Sequence, residues 1–298
     1  MHKATLENML SHEVQILSVA EAQIASRLTQ LASSVPAGHA RDILNEQVKH
    51  SETRIALLRP VLDKLAGAVA SRASCVGIRA LLDEVEGAAK ADLEPNSLNA
   101  EMALGVQRIK EYQLAGYQAV QTYAAALGSS QDLKPLEDSI TADQKTIKNL
   151  AGVSHGLSHQ SFVEDLLAHE TLVLAKSEDQ LVRSFGPTAT FSNIDIRAQL
   201  QQIAAGGGGA SSAASCIGLR ALLDEVESAA DSDLEWDAKE AEVTLGTHRA
   251  RQYQAAGYNA IQGYAKTVGK DANFIAPIIT ASQQDAQKFD LELRVFVG

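Results

Sequence analysis

The sequence predicts an all-α protein of two tandem four-helix bundles, each with a short connector helix and the second with a truncated second helix. Three observations carry this expectation. Apolar residues recur at alternating spacings of four and three over long stretches, which is the helical period. Ala, Leu, Glu and Gln are plentiful, aromatics make up 4% of the chain and only six prolines interrupt it, a helix-favouring balance. The second half of the chain also repeats the first, segment by segment and in the same order.

The repeat sets the expected domain organisation. "SCVGIRALLDEVEGAAKADLE" from Ser74 and "SCIGLRALLDEVESAADSDLE" from Ser215 differ at five positions. "HEVQILSVAEAQIASRL" from His12 is echoed by "HETLVLAKSEDQLVRSF" from His169, and "RIKEYQLAGYQAVQTYA" from Arg108 by "RARQYQAAGYNAIQGYA" from Arg249. "ITADQKTIKNL" from Ile140 matches "ITASQQDAQKF" from Ile279 more loosely. A join falls near Gly152–Ser158, where "AGVSHGLS" breaks the helical pattern, giving units 1–152 and 158–298. At ~150 residues each, either unit is long enough to bury a core.

The first helix, roughly 3–33, turns Leu10, Val14, Leu17, Glu21, Ile24, Leu28 and Leu31 to one face. Its repeat shows Leu167, Thr171, Leu174, Glu178, Leu181 and Phe185. A carboxylate in a core slot costs several kcal/mol unless it is paired, hydrogen-bonded, protonated or metal-bound. Glu21 and Glu178 are therefore the most informative residues of the chain. The second helix, to about Ala66, is expected to turn Leu44, Val48, Ser51, Ile55, Leu58 and Leu62 inward. Glu52, about 40° from Val48 on the helical wheel, would reach the interior, whereas His50, about 200° away, would face solvent and make Glu46–His50 a surface pair.

The "SCVGIRALLDEVE" segment forms a third, connecting helix with Ile78, Leu81, Leu82 and Val85 on its apolar face. It joins two long helices running the same way, a crossover that closes the bundle. The next long helix, roughly 97–127, brings Met102, Ile109, Tyr112, Gly116, Val120 and Tyr123 inward, with Gln113 flanking and Glu111 outward, and ends at Leu127–Gly128. The last helix carries Leu136, Ile140, Asp143, Ile147 and Leu150, placing Asp143 in a core slot.

Composition excludes several functions. A net charge of −11 without a basic patch argues against a nucleic-acid partner. No apolar run approaches the ~20 residues of a membrane span, and the N-terminus lacks a signal-peptide core. Cys75 and Cys216, at equivalent points of the repeat, read as buried thiols in a reducing cytoplasm. His12 and His169 each precede a glutamate, but no Ser or Cys nucleophile comes with a matched base. The glycine run Gly206–Gly209 lacks the Lys-Ser/Thr of a phosphate loop and reads as a linker. Tyr112, Tyr117 and Tyr123, with Tyr253, Tyr258 and Tyr264, fit bundle packing with hydroxyls at an edge.

"AEAQIASRL", the Cys-plus-"GIRALLDEVE" connector, "EYQLAGY…TYAAALG" and the "TADQKTIKNLA" tail resemble the ferritin-like YciE/YciF family of bacterial stress-associated proteins. The resemblance spans residues 5–152, and 158–296 less completely. It implies a four-helix bundle and, from ferritin-like relatives, a two-metal site of inward carboxylates and histidines. By this correspondence Glu21 matches the first-helix ligand and Asp143 the fourth-helix acid. Lys49 and Glu52 fall on the second-helix pair, and Gln113 replaces the third-helix glutamate. In the second copy Glu178 remains, Gln254 replaces the glutamate and Ser282 stands opposite Asp143. The offset between equivalent residues falls from 157 to 141, so sixteen residues are missing, among them the half of the second helix that would carry metal ligands, leaving roughly Asn193–Ala205.

Two functions follow as expectations. The first is a non-catalytic assembly or partner-binding protein with a degenerate di-metal site at Glu21, Glu52, Asp143, Gln113, Glu178 and Gln254, and no cofactor. Its shortened helix would leave an apolar trough on the second copy, to be filled by the other half of this chain, by self-association or by another protein. The alternative is a di-iron or manganese carboxylate oxidase, or a metal-storage protein, using Glu21, Glu52 and Asp143 in the first copy. One weakly held Fe or Mn ion there is the intermediate case.

Overall fold

The computed structural model describes residues 1–65, 75–91, 93–153, 160–185, 200 and 216–297. The expected join beyond Val153, the shortened helix apart from Leu200, and the glycine run lie outside them. Among the described residues the α-helices are α1 (Lys3–Ser34), α2 (His39–Leu65), α3 (Val76–Lys90), α4 (Pro95–Ala126), α5 (Lys134–Val153), α6 (Gln160–Phe185), α7 (Ile217–Ala230), α8 (Trp236–Thr267) and α9 (Ala276–Val297). No strand occurs among them, so the fold is an all-α, ferritin-like bundle.

Local sequence explains the helix limits. α4 starts at Pro95, where a missing N–H costs nothing, and ends before Gly128, whose φ of 70° provides the left-handed residue that closes a helix. Gly269 does the same after α8, also at φ 70°. The stripe from Leu10 to Leu31 on α1 is buried throughout, Glu21 included.

The core is not split between the halves of the chain. Each of its three apolar clusters draws on both: Ile78 and Leu82 share one with Leu219, Leu222 and Tyr253. Leu10, Leu58 and Tyr123 share another with Leu245, Phe289 and Leu293, and Ala100 and Leu104 join Leu167, Leu174 and Ile261 in the third. For this reason α4 is buried nearly all round, with α1, α2 and α5 on one side and α8 on the other.

The contacts between the halves are reciprocal. The Gly77 N–H donates to Glu225 at 2.8 Å, and the Gly218 N–H to Glu84 at 2.9 Å. Arg249 pairs with Glu13 and Arg108 with Glu170. Each guanidinium lies 4.0 Å from a tyrosine centroid, Arg249 over Tyr112 and Arg108 over Tyr253. The connector helices α3 and α7 pack on each other across this junction. Closing a bundle therefore explains only part of their near-identity. They also face their own counterparts, and a Cβ at Gly77 would meet Leu222 at 2.8 Å, as one at Gly218 would meet Leu81 at 2.8 Å.

Cys75 and Cys216 precede these helices as free, buried thiols, 3.2 Å from the Ile16 carbonyl and 3.4 Å from the Val173 carbonyl. Burial, reinforced by Glu225 and Glu84 nearby, pushes the thiols up to about 12 and about 11. Thiolate is scarce at neutral pH, so both cysteines should resist a thiol reagent in the folded protein and react in denaturant. Mass spectrometry of labelled protein reads this directly; rapid native labelling of either residue contradicts it.

Candidate functional site

Glu21 on α1 and Asp143 on α5 are fully buried in the first half. The second-helix face that meets them differs from the expected one. Gln47, Ser51 and Arg54 are buried, while Val48 and Ile55 sit half-buried on the flank and Glu52 and Lys49 are exposed. The expectation that Glu52 reaches the interior is corrected here. A hydrophobic reading favours Val48 and Ile55 for the core, but polar side chains on α2 turn inward because buried charges await them. His50 is half-buried rather than solvent-facing, with Nδ1 3.4 Å from the Lys110 Nζ.

Two cations occupy the space between the acids. Arg54 pairs through Nη2 with Asp143 and through Nη1 with Glu21 at 3.5 Å. Lys110 of α4, with no exposed surface, pairs with Asp143 at 2.7 Å. The Tyr117 hydroxyl donates to Glu21 at 2.6 Å, and the Arg54 guanidinium lies 5.3 Å from that ring's centroid. Gln47 donates to Gln113 at 3.2 Å, so Gln113 is taken up by α2 and not by Glu21.

Burial works against the charges of Glu21, Lys110 and Arg54. It raises the Glu21 pKa in spite of Arg54, Ser51, Tyr117 and Lys110, and lowers that of Lys110 in spite of Asp143. It opposes the Arg54 charge too, but Asp143 and Glu21 outweigh it and raise the pKa. Glu111, read as outward, is half-buried, and burial together with Asp143 pushes it up to about 8. The adjacent cavity, lined by Ile43, Gln47, His50 and Leu150 among others, holds about 10 Å³, room for one water at most.

The second half keeps one acid of the set. Glu178 is buried and accepts from Tyr258 and from Gln254 at 3.2 Å, and Gln254 also donates to Ser177 at 3.0 Å. Ser282 is buried opposite, and Arg251, at the position of Lys110, turns to Asp285 at 2.9 Å. All six tyrosines are fully buried, so their hydroxyls do not reach an edge. Tyr112 and Tyr253 face Glu225 and Glu84 across the junction.

The donor set does not fit the two-metal site implied by ferritin-like relatives. Such a site needs several anionic or imidazole ligands converging on open space. Here a guanidinium and an ammonium fill that space and already balance both carboxylates. Among the described residues no group of three or more His, Cys, Asp or Glu is placed to hold a metal ion. Sequence reasoning missed Arg54, Lys110, Arg108 and Arg249. One signal was available: Arg108/Arg249 and Glu13/Glu170 recur at equivalent points of the repeat, and a charge kept in both copies is worth placing.

Fold and site together define a helical bundle of ferritin-like type with a buried ion-pair network at its centre. The family described as "Domain of unknown function (DUF892)" matches residues 5–162, more than half of the chain, and the protein belongs to it. It is also similar to Protein YciF of Escherichia coli (strain K12), 20% identical over 146 residues that make up 49% of this chain and 88% of that protein. No solved structure matches. No described helix is long and apolar enough to cross a membrane.

Proposed function

We propose that this chain is a tandem duplication of the DUF892 unit, divided at 152–158, that works as a non-catalytic, stress-associated assembly protein. One observation carries the reading: Arg54 and Lys110 stand between Glu21 and Asp143, where a carboxylate enzyme of this fold would hold its metals. The stress association rests on the YciE/YciF resemblance alone. The repeat and the reciprocal contacts of the halves support the duplication, and two free, buried thiols suit a reducing cytoplasm.

Elemental analysis of protein from iron- and manganese-supplemented cells tests the reading. The expected result is well below one ion per chain, unchanged by Glu21→Ala or Asp143→Ala. Stoichiometric iron or manganese lost with either variant overturns it and restores the oxidase or storage alternative. The partner, a second copy or another protein, is proposed to dock on the second half, where Leu291 and Val295 stand exposed one turn apart on α9. Sedimentation and cross-linking that find only monomer, unaffected by Leu291→Glu, count against that docking.

A further inference from the structure

Each guanidinium at the junction of the halves is faced by three carboxylates. Arg249 of α8 is paired with Glu13 of α1, and Glu225 of α7 and Glu242 of α8 lie in its field. Arg108 of α4 is paired with Glu170 of α6, lies 3.9 Å from Glu84 of α3 and has Glu101 of α4 in its field. His12, Cys75, Tyr112, Tyr123 and His248 also surround Arg249, burial pushing His248 down to about 3 so that it is uncharged near neutral pH; His169, Cys216, Tyr253 and Tyr264 surround Arg108. Among the described residues, buried oxygens of Glu13, Glu84 and Glu101 and the hydroxyls of Tyr123 and Tyr264 meet no hydrogen-bond partner.

Fully ionised, each cluster would set three negative charges against one positive, with Glu13 and Glu170 fully buried and Glu84, Glu101, Glu225 and Glu242 half-buried. Such an excess is neutralised by a bound cation or by protons. Among the described residues no three His, Cys, Asp or Glu side chains are placed to hold a metal ion, which favours protons as the neutraliser.

We propose that the junction between the two halves is a pH-responsive joint, closed while an acid in each trio is protonated and loosened once all three ionise. Burial pushes Glu101 and Glu170 up to about 7 and Glu242 up to about 8, and raises Glu84 and Glu225 as well. These values exceed the ordinary 4.5, so the closed junction holds protons that a separated one would release. Their stabilisation is complete below 4.5 and is lost as pH rises through about 7 to about 8. His12 and His169 set the opposite limb. Burial lowers both from 6.5, so their contribution is present above 6.5 and is lost as pH falls through their lowered values. The tyrosines, raised well above 10, titrate outside this window.

Hydrogen exchange of the full chain from about pH 5.5 to about pH 9, corrected for intrinsic rates, tests the joint. The amides of α3 and α7 report on it, and α2, which packs chiefly on α1, α4 and α5 of its own half, is the reference. Protection of α3 and α7 relative to α2 should fall about tenfold between about pH 6 and about pH 9, the effect of roughly one pKa unit. In Glu101→Gln/Glu242→Gln, where glutamine imitates the protonated acid, the fall should shrink to about threefold or less. A flat wild-type profile overturns the proposal, as does an undiminished fall in the double variant or its failure to fold. Closure at about pH 9 on adding Mn²⁺ or Ca²⁺ also overturns it, because a cation would then be the neutraliser.

Discussion

Replacing Arg54 with leucine is expected to destabilise the protein by about 3–5 kcal/mol, the usual cost of removing one partner from a buried ion pair. Arg54 is the only cation that touches both Glu21 and Asp143 among the described residues. Without it Asp143 keeps Lys110, but Glu21 keeps only neutral donors, the Tyr117 and Ser51 hydroxyls. Neither acid can turn to water, since both are fully buried. The quadruple replacement Glu21→Leu, Arg54→Met, Lys110→Met, Asp143→Leu should recover most of that loss, because a network removed whole leaves no orphaned charge. Denaturant midpoints of the two variants measure both effects. A cost under about 1 kcal/mol for Arg54→Leu would place the guanidinium outside any charge-balancing role.

Alanine at both Gly116 and Gly257 is the second large perturbation. A Cβ at Gly116 would press on the Glu13 carboxylate, on the Arg249 guanidinium at 2.7 Å and on Leu17 at 2.9 Å. At Gly257 it would press on Glu170, on Leu174 at 2.9 Å and on Arg108 at 3.1 Å. The carboxylate and guanidinium are flexible in principle, but each is buried and held by the other. Overpacking of this kind costs about 1–3 kcal/mol per site, and the two clusters share no partner, so the costs should add. Gly87→Ala is the matched control: its Cβ meets nothing, and the helix should gain about 1 kcal/mol. Loss of α3 and α7 protection in the double variant, with α2 unchanged, would locate the damage at the junction.

The contrast between α1 and α2 shows what the chain pattern reveals. On α1 the stripe from Leu10 to Leu31 is apolar apart from Glu21, so the four-three spacing identifies that face, while Ser11 and Glu13 are buried beside it. On α2 the buried face includes Gln47, Ser51 and Arg54, and hydrophobicity rotates the reading toward Val48, Ile55 and Glu52. Lys110 was hidden for a related reason: α4 is buried almost all round, so no periodicity separates its inner and outer faces. The glutamates after His12 and His169 were visible as repeated residues. Their role needed a partner more than 200 positions away for Glu13, in Arg249.

The sequence by itself determined the helices, their order, the repeat and the placement of Glu21, Glu178 and Asp143 in core slots, because these follow from spacing along one chain. Tertiary structure decided what neutralises those acids and how the halves meet. Compensation of a buried charge depends on which side chains converge in space, and Arg54, Lys110, Arg108 and Arg249 reach their acids from other helices.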